Sequence, residues 1–111
     1  MKKGLLIKAD GVCEVFHYEN LKSLQNAVGG YIEAISCDNL SFFLNEEGKL
    51  NNLPMNPLAT LLVKHRIGQH DYIAGDVVVL GDVDEDGETL GLSFEEISNL
   101  LLKINSFKLA I

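Results

Sequence analysis

Few residues in this chain are of a type that does chemistry, and their spacing excludes more than it offers. Asp82-Val83-Asp84-Glu85-Asp86-Gly87 matches the first half of a calcium loop, in which oxygen ligands at alternate positions precede a glycine bend. The match stops at the twelfth loop position, which is Ser93 and not a bidentate glutamate. The segment before it also reads as a strand where that loop needs a helix. A solvated acidic hairpin or loop is therefore expected. His65, His70 and Asp71 form the nearest approach to a transition-metal or acid–base set. The histidines are five apart, so they do not share a helix face as an i, i+4 pair would. No HExxH or paired CxxC accompanies them, so neither a metal nor a cofactor is expected.

Nucleophilic catalysis finds equally little. Cys13 and Cys37 have no local signature and lie outside any CxxC spacing, so they read as buried thiols without a disulfide. No GxSxG turn is present, and Ser23, Ser36 and Ser41 have no partner in sequence. Gly29-Gly30 before Tyr31 is not a phosphate loop, because no GK[ST] follows. A non-enzymatic protein is the expectation. The polar residues that remain are Asn45 and Glu46 at a strand end, Asn56 at a helix start and Thr60 one turn further on. A helix start offers free N–H groups to an anion or phosphate. Lys64 and Arg66 supply positive charge nearby in sequence, and Tyr31 offers a ring on which a base can stack.

The elements that must hold these residues follow from pattern and punctuation. Leu5–Ile7 and Val12–Phe16 are β-prone runs joined at Asp10-Gly11, which predicts a tight type I′ turn. Asn20 caps a short helix carrying Leu21, Leu24 and Val28, and Gly29-Gly30 ends it. Strands follow over 31–37 and 41–44, with turn chemistry at Asp38-Asn39 and again at residues 46–49. Asn56 and Pro57 open a second helix, with Leu58, Leu61, Leu62 and His65 on one face. Val77–Leu80 is a continuous apolar run suited to a strand covered on both faces. Ser93 with Glu96 forms a capping box, and Phe94, Ile97, Leu101 and Ile104 make the buried stripe of the last helix. The final residues are expected to add an edge strand or dock as an apolar tail. The order ββα-ββ-α-β-α predicts one α+β domain over 1–111, a mainly antiparallel twisted sheet packed with about three helices.

Composition limits the partners. A chain of 111 residues, 47% hydrophobic and free of low-complexity tracts, buries a core of its own. No apolar run approaches the roughly 18 residues of a membrane span. The opening Met1-Lys2-Lys3-Gly4 leads into too short an apolar stretch for a signal peptide, so a cytoplasmic location is expected. Sixteen acidic against nine basic residues give a formal net charge of −7. That charge argues against direct binding to nucleic acid or to an anionic membrane. It suits docking on a basic surface.

Four segments together resemble a known family. Gly29-Gly30-Tyr31-Ile32-Glu33, Asn45-Glu46-Glu47-Gly48-Lys49-Leu50, Leu53 to Thr60 (LPMNPLAT) and Gly75 to Gly81 (GDVVVLG) occur in this order. They resemble the family catalogued as domain of unknown function 3846, over roughly residues 4–100. The resemblance implies small proteins of bacteriophages, plasmids and Gram-positive or actinobacterial genomes, and carries over no reaction. In such a setting small acidic accessory proteins often counter host defence. Two readings follow. The first is a binder that sequesters a small anionic, nucleotide-type signal through Tyr31, Asn45, Glu46, Asn56, Thr60, Lys64 and Arg66, as a homodimer or higher oligomer. The alternative is an acidic inhibitor of a host defence nuclease or CRISPR effector, which docks through Asp82, Asp84, Glu85, Asp86 and Glu88.

Overall fold

The computed structural model describes residues 2–110. Its elements are β1 (Lys2–Ile7), β2 (Cys13–Tyr18), α1 (Leu21–Val28), β3 (Ile32–Cys37), β4 (Leu40–Asn45), α2 (Pro57–Ile67), β5 (Val77–Leu80) and α3 (Phe94–Ala110). The expected α+β class and element order are both present. The five strands form one sheet in the order β2-β1-β5-β4-β3, with every neighbouring pair antiparallel.

Strand alternation divides the core between the two sheet faces. On one face Leu5, Ile7, Phe42, Leu44, Val77 and Val79 pack with Leu58, Leu62 and Val63 of α2 and Ile97, Leu100 and Ile104 of α3. On the other, Phe43, Val78 and Leu80 pack beneath Leu24 of α1. The sheet is thus the middle of three layers. This is why β5 carries no polar residue: all four of its side chains are buried, two on each face.

Several local expectations need correction. The β1–β2 connection is not a two-residue type I′ turn. Strand pairing stops at Ile7 and Cys13, the Lys8 N–H bonds Val12 O, and of the loop only Gly11 has positive φ, at 94°. The two-residue turn with both φ positive lies at Asp38 and Asn39 (54° and 63°), between β3 and β4. Helix α2 buries Leu58, Ala59, Leu62 and Val63, while Leu61 and His65 face outward. In α3, Leu100 is buried and Phe94 is 79% exposed, so the buried stripe runs through Ile97, Leu100 and Ile104 and leaves out the first residue. Finally, the C-terminal residues through Ala110 continue α3 and add no strand.

The predicted caps are in place. Asn20 and Ser23 form a reciprocal box at the start of α1. Ser93 and Glu96 do the same before α3, each side chain accepting from the other's backbone N–H at 3.0 and 2.9 Å. Among the described residues, no helix is long and apolar enough to cross a membrane. Cys13 and Cys37 are free thiols.

Candidate functional sites

Asn56 is wholly buried at the start of α2, and its side chain is a junction of three chain segments. Its Nδ2 donates to Ile7 O at 2.9 Å and to Gly75 O at 3.0 Å, while Oδ1 accepts the Ala59 N–H at 3.1 Å. Thr60, also buried, donates its hydroxyl to Asn56 O and accepts the Ile73 N–H on the same oxygen. These two residues bind the helix start to β1 and to the segment leading into β5. Their polar atoms face protein, away from any cleft.

Asn45 works in the same way one layer across. Its Nδ2 donates to Val28 O at the end of α1, and its Oδ1 accepts the Glu47 N–H. Gly30 crosses so close that a Cβ there would lie 2.9 Å from Asn45 Nδ2. Gly48 is pressed between Ala74 O and Asn45 O, at 2.9 and 3.3 Å from where its Cβ would be. Gly75 N bonds Pro54 O, and Asn56 N bonds Ile73 O. The four segments that carry the resemblance therefore meet at one end of the sheet, where they lock each other's backbones.

Comparison against protein families gives the same family that these segments resemble. The family described as Domain of unknown function (DUF3846) has a model that matches residues 1–105. The chain belongs to that family. No curated protein and no solved structure matches it.

Beside this junction lies a cleft of about 140 Å³, walled by β3 and β4, the 46–50 turn, the end of α2 and residues 71–74. Glu33, Glu46, Lys49, Asp71 and Tyr72 supply its polar groups. Lys49 forms an ion pair with Asp71 and lies 4.7 Å from the centre of the Tyr72 ring. Lys64 donates to Asp71 O at 3.0 Å. The hydrogen bond from Lys49, helped by the Tyr72 N–H, holds the Asp71 carboxyl below the usual carboxylate range. With three acids to one lysine the lining repels anions. Its volume also falls below the roughly 300 Å³ at which drug-sized ligand pockets begin.

The seven residues expected at a ligand site are thus scattered. Asn45, Asn56 and Thr60 are engaged inside the fold, Glu46 edges the acidic cleft, and Lys64 braces Asp71. Arg66 is exposed on α2. Tyr31 accepts the Glu46 N–H on its carbonyl at 2.9 Å, and the residue, 67% exposed, lines a separate open groove of about 450 Å³ with Lys22, Gln25 and Asn26 of α1.

The acidic segment is ordered. Val83 and Thr89 bridge, Leu90 N bonds Asp82 O, and Gly81 N bonds Leu90 O, so residues 81–90 form a hairpin extending β5. Asp84 Oδ1 accepts the N–H groups of Asp86 and Glu88, each at 2.9 Å, which shapes the turn. Asp82, Glu85, Asp86 and Glu88 remain exposed. Lys2 stands beside them, 3.9 Å from Glu88 and bonded to Thr89 O. The calcium-like run is therefore a β-hairpin with no helix before it.

His65, His70 and Asp71 do not converge on a common point among the described residues, and Asp71 is paired with Lys49. His65 instead meets Cys37 and Asp38. Sequence spacing gave no sign of this group, because its members lie 27 and 28 positions apart across a hairpin and a helix. Both partners contact the same ring nitrogen, Nε2, at 3.4 and 3.1 Å. A nucleophilic triad needs them on opposite nitrogens. Burial, reinforced by the Asp38 charge, also pushes the Cys37 thiol up, which disfavours its thiolate.

Proposed function

We propose that the protein acts without catalysis, as an acidic accessory protein that docks on a basic surface of a partner protein. The observation that carries this reading is the hydrogen-bonded hairpin at residues 81–90, which presents Asp82, Glu85, Asp86 and Glu88 to solvent with Lys2 as their close cation. Carboxylates on an ordered scaffold imitate the spaced negative charge of a phosphate backbone, and they need no folding on contact. The fitting partner is a protein with a groove for nucleic acid, and a host defence nuclease or CRISPR effector is the class that the family setting favours. Asp84 serves by shaping the turn, not by touching the partner.

Association with a panel of such effectors, measured at low and physiological salt, tests the proposal. Neutralising the four exposed acids to Asn or Gln should slow association about ten- to a hundredfold at low salt and flatten its salt dependence. Association unchanged by the four substitutions would remove this face from the interaction.

The groove beside Tyr31 supports a second reading, sequestration of a nucleotide-type signal. Tyr31 would stack the base and Lys22 would meet its phosphate, with an oligomer deepening a groove that is shallow in one chain. Native mass spectrometry against cyclic nucleotides and ADP-ribose species checks it. Binding that disappears in Tyr31→Ala is the expected result, and no binding across the panel would exclude it.

A further inference from the structure

Cys37 is the last residue of β3, Asp38 the first of the two-residue turn, and His65 lies near the end of α2. Consecutive strand residues point to opposite faces. The left-handed conformation of Asp38 (φ 54°) breaks that alternation and brings its carboxylate round to the side of Cys37. One donor atom from each of the three residues then lies within 4.8 Å of the other two. Sγ to Nε2 is 3.4 Å and Nε2 to Oδ1 is 3.1 Å.

Hydrogen bonds engage the cluster only in part: the Cys37 thiol can donate to Leu62 O at 3.8 Å, which leaves the Cys37 sulfur and His65 Nε2 in contact at 3.4 Å. An imidazole nitrogen has one in-plane direction, carrying either a proton or a lone pair. Nε2 can therefore donate to Asp38 or accept from the Cys37 thiol, but not both. A cation between the three would take a lone pair from each of them at once. The distances agree with this. Bonds of about 2.3 Å to sulfur and about 2.0–2.1 Å to nitrogen and oxygen, arranged tetrahedrally, give edges of about 3.5 Å for S···N and about 3.3 Å for N···O.

We propose that Cys37, Asp38 and His65 form a binding site for a divalent transition metal of the zinc class. Thiolate and imidazole select such an ion over magnesium or calcium. Asp38 and His65 are exposed and Cys37 is buried, so the sulfur forms the floor of the site. The fourth position faces solvent, open to water or to a side chain of a partner. The ion would fasten the β3–β4 turn to α2. Spacing in sequence alone pointed the other way, to no metal, because the three residues share no local motif.

The test is titration of the full chain with zinc by calorimetry and with cobalt(II) by absorption, under reducing conditions. One ion per chain and a thiolate-to-cobalt charge-transfer band are expected. Cys37→Ser should abolish the band and Cys13→Ser should leave it. His65→Gln and Asp38→Asn, both at exposed positions, should each weaken zinc binding by more than about tenfold, the lower end of what loss of an outer-sphere partner costs. Circular dichroism of each variant verifies folding. Absence of the band in the wild type, or its survival in Cys37→Ser, would overturn the proposal and leave a hydrogen-bonded clamp only.

Discussion

Asn56 shows how a residue that reads as a ligand group can be a structural one. As an ordinary N-cap, Asn and Asp would be interchangeable, because both offer an acceptor to the helix. Here the other half of the amide matters more, since Nδ2 donates to two buried carbonyls. Asn56→Ala should destabilise the fold by about 3 kcal/mol, through two stranded acceptors and a lost cap. Asn56→Asp should cost at least as much, because its second carboxylate oxygen would face Ile7 O and Gly75 O. Denaturant unfolding of the two variants checks this, and an Asp variant close to wild type would contradict it. Asp71 gives a smaller effect with a definite sign. Its folded pKa is depressed, so its stabilisation is present above the ordinary carboxylate value and is lost as pH falls through the lowered one. Asp71→Asn keeps the acceptor for Tyr72 N but loses the charge. It should be less stable than wild type by under about 1 kcal/mol at neutral pH. That gap should close in acid, below about pH 4, as followed by thermal melts across pH.

Elements hold their positions here through backbone contact as much as through side chains. The 46–53 turn lies against residues 73–75 with no room for a side chain at Gly48, where Ala74 O approaches. Gly48→Ala should therefore cost about 1–3 kcal/mol although only one methyl is added, as expected of overpacking against rigid backbone. A thermal shift assay reads this directly. The acidic hairpin is the contrasting case. Its exposed carboxylates lie outside both hydrophobic clusters, so neutralising them should alter association while leaving the melting temperature nearly unchanged. That separation distinguishes a docking face from a folding element. The two helices on the larger core cluster differ in how far their faces could be read. Pattern placed α2 and its cap correctly yet put Leu61 and His65 inward, because several registers of an apolar-rich helix satisfy a 3.6-residue period. Contact with the sheet and α3 selects the stripe through Leu58, Leu62 and Val63.

For the whole molecule, β5 is the centre. It is the middle strand, paired on both edges by β1 and β4 and covered on both faces. Amide exchange should be slowest at Val77–Leu80 and faster on the edge strand β2, whose Val15 is half exposed. Exchange measured by NMR or mass spectrometry checks this; equal protection of β2 and β5 would count against a core centred on β5.

The α+β class, the element order, the helix caps and the family were legible in the sequence, because each rests on local periodicity, cap chemistry or short motifs. The apolar run of β5 was legible for the same reason, since a strand covered on both faces tends to read as a continuous apolar run. The strand order β2-β1-β5-β4-β3 came only from tertiary structure, as pairing depends on contacts between distant segments. So did the fate of the residues that could do chemistry. Asn45, Asn56 and Thr60 were expected at a ligand site, with Asn56 also a helix cap, and folding gives each of them backbone partners. Cys37, Asp38 and His65 had no shared motif, yet a left-handed turn and the end of a helix bring their donor atoms together.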